Sequence, residues 1–140
     1  MAKNSNNIPI PEDDYLYISL SQIPDSGNGL LTAITIYKDE IIATFKGEIL
    51  TQSQTNSRAN NFNNKYFIAM LDGSIMDSMH THCFAKYAND ANGSAHSGFK
   101  NNAKIMLDEN ENVCLIATRK IKNGEEIFCS YGKKYWNNLN

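Results

Sequence analysis

The sequence contains no apolar run near the ~20 residues that a membrane-spanning helix needs. Its first seven residues are polar and lack the apolar core of a secretory signal. Cysteine is scarce: Cys83, Cys114 and Cys129 form neither a CxxC pair nor an even framework. That excludes a disulfide scaffold and points to free thiols in a reducing compartment. His80, His82 and Cys83 lie close together, but structural zinc takes four ligands from two separated pairs and no second pair exists. No metal is expected. A net charge of −2 without a basic stripe excludes bulk electrostatic binding to nucleic acid. The densest basic cluster, Arg119-Lys-Ile-Lys122, reads as a solvated turn. Asp72, Asp77 and Asp90 read as turn and cap residues rather than an acid–base pair. The expected location is the cytoplasm or nucleus, with no membrane partner, and secretion into a host stays open.

Helical periodicity is also missing, and no helix longer than about two turns can be argued from the pattern. Short β-branched and apolar runs punctuated by Gly, Asn and Asp take its place. The 140 residues are enough for one domain with a core. Residues 1–14 read as a flexible polar lead-in, 15–136 as the domain and 137–140 as a tail. Strands are expected at 15–20, 30–36, 41–45, 48–50, 66–71, 74–77, 103–107, 113–118 and 126–131. Between them, 51–65 is rich in Asn, Gln and Ser and reads as a variable loop too polar to pack. The stretch 84–89 reads as a single helical turn, and 92–102 as a loop. The fold class is mainly β with little helix.

One spacing occurs twice, 85 residues apart. Leu31, Ala33, Ile36, Glu40, Ile42 and Gly47 match Ile116, Thr118, Ile121, Glu125, Ile127 and Gly132. Both copies read strand, turn, Glu, strand, Gly, which suggests two similar hairpin units in one fold. The second copy ends on Tyr131-Gly132, followed by Tyr135 and Trp136, aromatics suited to walling a cleft.

Several ordered stretches resemble the SET domain, the fold of protein-lysine methyltransferases. Gly27-Asn-Gly-Leu-Leu-Thr-Ala runs through Ile36 to Glu40 and Ile42, and is similar to the family's opening GxGLFA…I..GE.I. Phe45-Lys-Gly-Glu48 resembles its aromatic-x-Gly-Glu. Tyr66-Phe-Ile-Ala-Met-Leu-Asp72, with Met76-Asp77, resembles its Y-x-F-x-L-D…ID strand pair. Ala85-Lys-Tyr-Ala-Asn-Asp90 resembles ARFxNHS, Asn101-Asn-Ala103 the closing PNA, and Gly124-Glu-Glu-Ile-Phe-Cys-Ser-Tyr-Gly132 the GEEL-x-x-x-YG. Besides Cys129, the chain departs from the pattern in four places. Asp90 replaces the usual His, the insert 91–101 is long, Asp39 replaces a turn Gly, and no cysteine-rich segment follows Tyr131-Gly132.

The resemblance implies the β-clip fold of short strands with a threaded C-terminal segment. It implies S-adenosylmethionine as cofactor, S-adenosylhomocysteine as product, and methyl transfer to a lysine of a protein or peptide substrate, histone tail or otherwise. Tyr131 is then the catalytic residue beside the methyl group. Gly27, Asn28, Gly29, Leu30, Lys86, Asn89, Asp90 and Trp136 would hold the cofactor. Phe45, Tyr66, Cys129 and Trp136 would line the lysine channel. Cys129 stands where the family commonly has Phe or Tyr, and its smaller size implies room for more than one methyl. The rival expectation is a catalytically silent binding module, favoured by Asp90 and the long insert. A homodimer that completes the site is a further expectation.

Overall fold

The computed structural model describes residues 7–93 and 98–130. Its strands in chain order are β1 (Leu16–Leu20), β2 (Asn28–Thr32), β3 (Ile41–Thr44), β4 (Glu48–Leu50), β5 (Phe67–Ala69), β6 (Ile75–Asp77), β7 (Ala103–Leu107), β8 (Val113–Ala117), β9 (Glu126–Ile127) and β10 (Cys129–Ser130). One α-helix, α1 (Gln52–Asn60), lies between β4 and β5. The domain is mainly β, as expected, and is divided into three small sheets. These run β1-β2-β9, β10-β7-β8-β3 and β4-β6-β5. No helix among the described residues is long and apolar enough to cross a membrane.

The 85-residue spacing corresponds to a pseudo-two-fold frame. Ile36 and Ile121 exchange both backbone hydrogen bonds at its centre, each 2.8 Å. Asp39 N–H donates to the Ala117 carbonyl, and its counterpart Gly124 N–H donates to that of Thr32. Ala117 N–H donates to the Glu40 carbonyl, and Thr32 N–H to that of Glu125. The two glutamates cap their turns alike: Glu40 Oε1 accepts from Tyr37 N–H, and Glu125 Oε1 from Lys122 N–H. Leu30, Ile36, Ile42, Leu115, Ile121 and Ile127 bury completely around this axis. Burying branched aliphatic side chains contributes about 1.5–3 kcal/mol each, so the axis is also a large contributor to stability.

Three stretches differ from the sequence expectation. Residues 51–65 do form a helix over part of their length. Thr51 Oγ1 accepts from Gln54 N–H while Gln54 Oε1 accepts from Thr51 N–H, a reciprocal capping box. The helix buries no residue, which is why no apolar period announced it. Next, β2 begins two residues early, at Asn28, because Leu20↔Asn28 pairing with β1 extends the ladder, and it ends at Thr32. Finally, 126–130 is two strands because the chain changes partners. Glu126 and Ile127 pair with β2, Phe128 bridges Asn89, and Cys129 pairs with Ala103 of β7.

The described part of the lead-in, 7–14, is docked on the domain. Asn7 bridges Ile41, and Glu12 Oε2 accepts from Thr44 N–H at 3.0 Å. Asp13 lies 3.2 Å from His82, both exposed.

Candidate functional site

Two neighbouring cavities share a wall. The larger, about 320 Å³, is lined by Ser26, Gly27 and Asn28 at the start of β2, by Lys65 and Tyr66, and by the segment Lys86, Tyr87, Ala88 and Asn89. The smaller, about 230 Å³, is lined by Phe45, Asn64, Lys65, Tyr66, Phe67, Ile68 and Lys86. Lys65, Tyr66 and Lys86 belong to both. Another cavity of about 420 Å³ lies between the lead-in, β3 and residues 82–84, and contains none of the expected site residues.

The shared wall is aromatic and cationic. Lys86 follows a buried Ala85 on a single 3-10 turn, Ala85–Tyr87, which turns its side chain back across the loop after β6. Its Nζ donates to the carbonyls of Ser78 (2.8 Å), Met79 (3.3 Å) and Thr81 (3.2 Å). The same ammonium lies 5.1 Å from the Tyr66 ring centre and 5.3 Å from that of Tyr87. Lys65 Nζ lies 4.9 Å from the Tyr66 ring centre. An ammonium has three donors, and three carbonyls engage those of Lys86. Lys86 therefore acts as a fixed positive charge, attracted by the faces of both rings. A ligand with a carboxylate at this wall and a flat apolar body would suit the lining.

The glycine pair has two separate causes. Gly27 has φ +67°, the left-handed region, although a Cβ there would meet nothing. At Gly29 a Cβ would overlap Glu126 Oε2 and press on Ser21 Cα at 3.3 Å, so the carboxylate would have to shift. The first glycine is needed for the turn and the second for a carboxylate packed against its Cα. Gly29 is not part of the cavity lining, and Leu30 is fully buried in the core.

Asn89 links three elements. Its Nδ2 donates to the Asn28 carbonyl at 3.0 Å, tying the two walls of the larger cavity. Its carbonyl accepts from Cys129 N–H at 2.9 Å. Asp90 turns to the insert instead of the cavity. Its Oδ1 accepts from Asn92 N–H at 2.9 Å and from Asn101 Nδ2 at 3.0 Å, while Asn101 Oδ1 accepts from Ala91 N–H at 2.8 Å. The residue in the usual histidine position thus closes both ends of the insertion.

Phe45 and Tyr66 meet in the smaller cavity. Cys129 is completely buried and lines neither cavity; burial, with the charge of Asp90 adding, pushes its thiol well above the usual range. Tyr131 and Trp136 lie outside the described residues. His82 faces Asp13, Cys83 Sγ accepts from Lys46 N–H at 3.4 Å, and no group of three or more His, Cys, Asp or Glu among the described residues could hold a metal.

Sequence reasoning missed Lys65, Tyr87 and Glu126. Tyr87 lies inside a segment already matched, so its neighbours were the available signal. Lys65 ended the stretch read as variable loop. Glu126 also lies inside a matched stretch, 124–132, but a charged residue in a strand is ordinarily solvated, so its burial was not foreseen. A family model described as SET domain matches residues 27–132. Comparison with curated proteins finds no match.

Proposed function

Because this chain belongs to the SET-domain family, whose members are in general protein-lysine methyltransferases, we propose that it methylates a lysine side chain of a protein substrate with S-adenosylmethionine as methyl donor. The observation that carries this reading is convergence. Gly27, Asn28, Lys86 and Asn89, expected to hold the cofactor, come from two distant segments and line one cavity with Tyr66 and Tyr87. Phe45 and Tyr66 of the expected lysine channel line the cavity beside it.

The lining fits the cofactor's chemistry. Lys86 and Lys65 supply positive charge for a carboxylate, and Tyr66 and Tyr87 supply aromatic faces. The backbone around Gly27 and Asn28 and the Asn89 amide offer donors and acceptors to a heterocycle. When bound, S-adenosylmethionine supplies an electrophilic sulfonium methyl. The chain's own residues then have to present a neutral amine. Phe45, 4% exposed, and Tyr66, with the positive charges of Lys65 and Lys86 beside them, disfavour the ammonium form of an entering lysine by desolvation and like-charge repulsion. Holding amine and methyl in line contributes through orientation, the role we assign to Tyr131. A histone tail and a non-histone protein both remain open as substrate.

One observation favours the catalytically silent module as second reading: the Asp90 carboxylate is committed to Asn92 and Asn101. Calorimetric titration with S-adenosylhomocysteine, followed by transfer of labelled methyl to histone and peptide arrays, separates the two. Binding that Asn89→Ala loses, with transfer that Tyr131→Phe abolishes, supports the enzyme. Binding without transfer on any substrate, the protein itself included, selects the silent module. A folded, monodisperse protein that does not bind the product rejects both the cofactor site and the enzyme.

A further inference from the structure

Glu126 is 2% exposed and has no ion pair among the described residues. A buried carboxylate is costly unless its oxygens are satisfied, and both are. Oε2 accepts from Ser21 Oγ at 2.7 Å and Oε1 from Gln22 N–H at 2.8 Å. Ser21 Oγ in turn accepts from Ile23 N–H at 3.1 Å, and Ser21 N–H donates to the Gly27 carbonyl at 2.8 Å. The carboxylate therefore grips the base of the 21–27 loop, which delivers Gly27 and Asn28 to the larger cavity. It also lies against Gly29, where a Cβ would overlap Oε2.

The pseudo-two-fold frame provides an internal control. The 85-residue shift carries Glu126 onto Ile41 and Gly29 onto Cys114. At the related place Ile41 lies opposite Ile116 as Glu126 lies opposite Leu31, β3 then shifts register before Ala43, and an isoleucine and a cysteine stand there without a carboxylate. The polar pair exists only in the copy that borders the cavity.

We propose that Glu126 is a positioning residue for the cofactor: it clamps the 21–27 loop so that the Gly27–Asn28 wall is set before the ligand arrives. The proposal rests on the cofactor reading of the larger cavity and extends it to a residue that does not touch that cavity. Preorganisation of this kind raises affinity by sparing the ordering of a loop on binding. It also reassigns the second glycine of the Gly27-Asn28-Gly29 turn, which answers to Glu126 and not to the ligand.

The test is a double-mutant cycle on S-adenosylhomocysteine affinity with wild type, Glu126→Ala, Gly29→Ala and the double variant, plus Glu126→Gln. Glu126→Ala is expected to weaken binding about tenfold, equivalent to about 1.4 kcal/mol. Glu126→Gln should recover part of that loss, because an amide oxygen still accepts from Gln22 N–H. Gly29→Ala should weaken binding in the wild-type background and add nothing in the Glu126→Ala background. Amide exchange at Gln22 and Ile23 should quicken in Glu126→Ala without any ligand. Where Glu126→Ala does not fold, the Glu126→Gln and Gly29→Ala arms and the exchange rates decide. Additive losses would show that Gly29 acts on binding apart from Glu126, through the ligand or the Ser21 backbone that its Cβ would meet at 3.3 Å, and would overturn the proposal. Wild-type binding with unaltered affinity or exchange in the Glu126 variants overturns the clamp and leaves the methyltransferase reading standing. A wild type that does not bind overturns that reading, and the positioning role with it.

Discussion

Asn102 is 1% exposed and stitches the crossing segment that leads to Cys129. Its Nδ2 donates to the Glu126 carbonyl at 3.0 Å, and its Oδ1 accepts from Phe128 N–H at 2.8 Å. Its backbone N–H donates to the Phe128 carbonyl and its carbonyl accepts from Thr118 N–H, both 2.9 Å. Asn102→Ala leaves these backbone bonds but removes both side-chain partners at once. A buried N–H without a partner costs about 1–3 kcal/mol, and the Glu126 carbonyl loses one partner as well. The sum is a loss of about 3 kcal/mol, roughly 10 °C in melting temperature for a domain of this size. Asn102→Asp keeps the shape and the acceptor for Phe128 N–H, but sets a carboxylate oxygen against the Glu126 carbonyl. It should be no milder than alanine. Urea unfolding of the two variants and wild type measures the difference directly. A loss below about 1 kcal/mol in Asn102→Ala, with a harmless Asn102→Asp, would show that the amide only fills space.

Three further outcomes follow from the same geometry. Thr51→Ala breaks the capping box of α1, at about 1 kcal/mol of local helix stability. Because α1 buries nothing, amide exchange at Gln54 and Thr55 should accelerate while the urea midpoint stays in place; a large midpoint shift would mean that the helix supports the core. Asp39→Gly should stabilise by up to about 1 kcal/mol, since Asp39 has φ +73° and its counterpart Gly124 has φ +89°; a lower urea midpoint would contradict this. Raising the pH should destabilise the fold: burial, with the charge of Asp108 adding, lifts Cys114 from 9.0 to about 11, and burial first also lifts Cys129 and the Tyr15 phenol. The unfolded chain loses these protons first, so stability is full below about pH 9 and falls as the pH rises toward about 11 and beyond. Urea midpoints that rise over that range, or a slope unchanged in Cys114→Ala, would refute the assignment.

What could be read from the residues was mainly what repeats or alternates. The 103–107 and 113–118 hairpin was legible because apolar runs flank a polar turn, and the structure has it at Ala103–Leu107 and Val113–Ala117. The doubled spacing was legible because Ile36 and Ile121, or Glu40 and Glu125, do the same work twice. Helix α1 was not, since its information is held in two capping side chains and not in an apolar period. The break at Phe128 was equally hidden: nothing local to 126–130 reports that Asn89 and β7 take over from β2 as partners. Within the site, Gly27, Asn28, Lys86 and Asn89 were found by motif. Lys86 lines both cavities, and its ammonium is the group that faces Tyr66 and Tyr87. Long-range polar partners such as Ser21 and Glu126, 105 positions apart, leave no local trace.

The pseudo-two-fold divides the molecule into positions that match and positions that do not, and the two classes should respond differently to mutation. Glu40 and Glu125 cap equivalent turns through equivalent bonds, so Glu40→Ala and Glu125→Ala should lower stability by similar amounts and leave product affinity unchanged. Arg119, 3.4 Å from Glu125 Oε2, makes a partly exposed ion pair worth little, and should separate them only slightly. Ile41 and Glu126 are also equivalent in position but not in chemistry. Ile41→Ala should act on stability alone, as the removal of a partly buried aliphatic group. Glu126→Gln preserves volume and should act chiefly on affinity. The pattern across these four variants is more informative than any one of them. If Glu126→Gln behaves like Ile41→Ala, the carboxylate is only a structural solution to a packing position. If affinity moves in Glu126→Gln and in no other of the four, binding has been built on the one half of the frame that departs from the repeat.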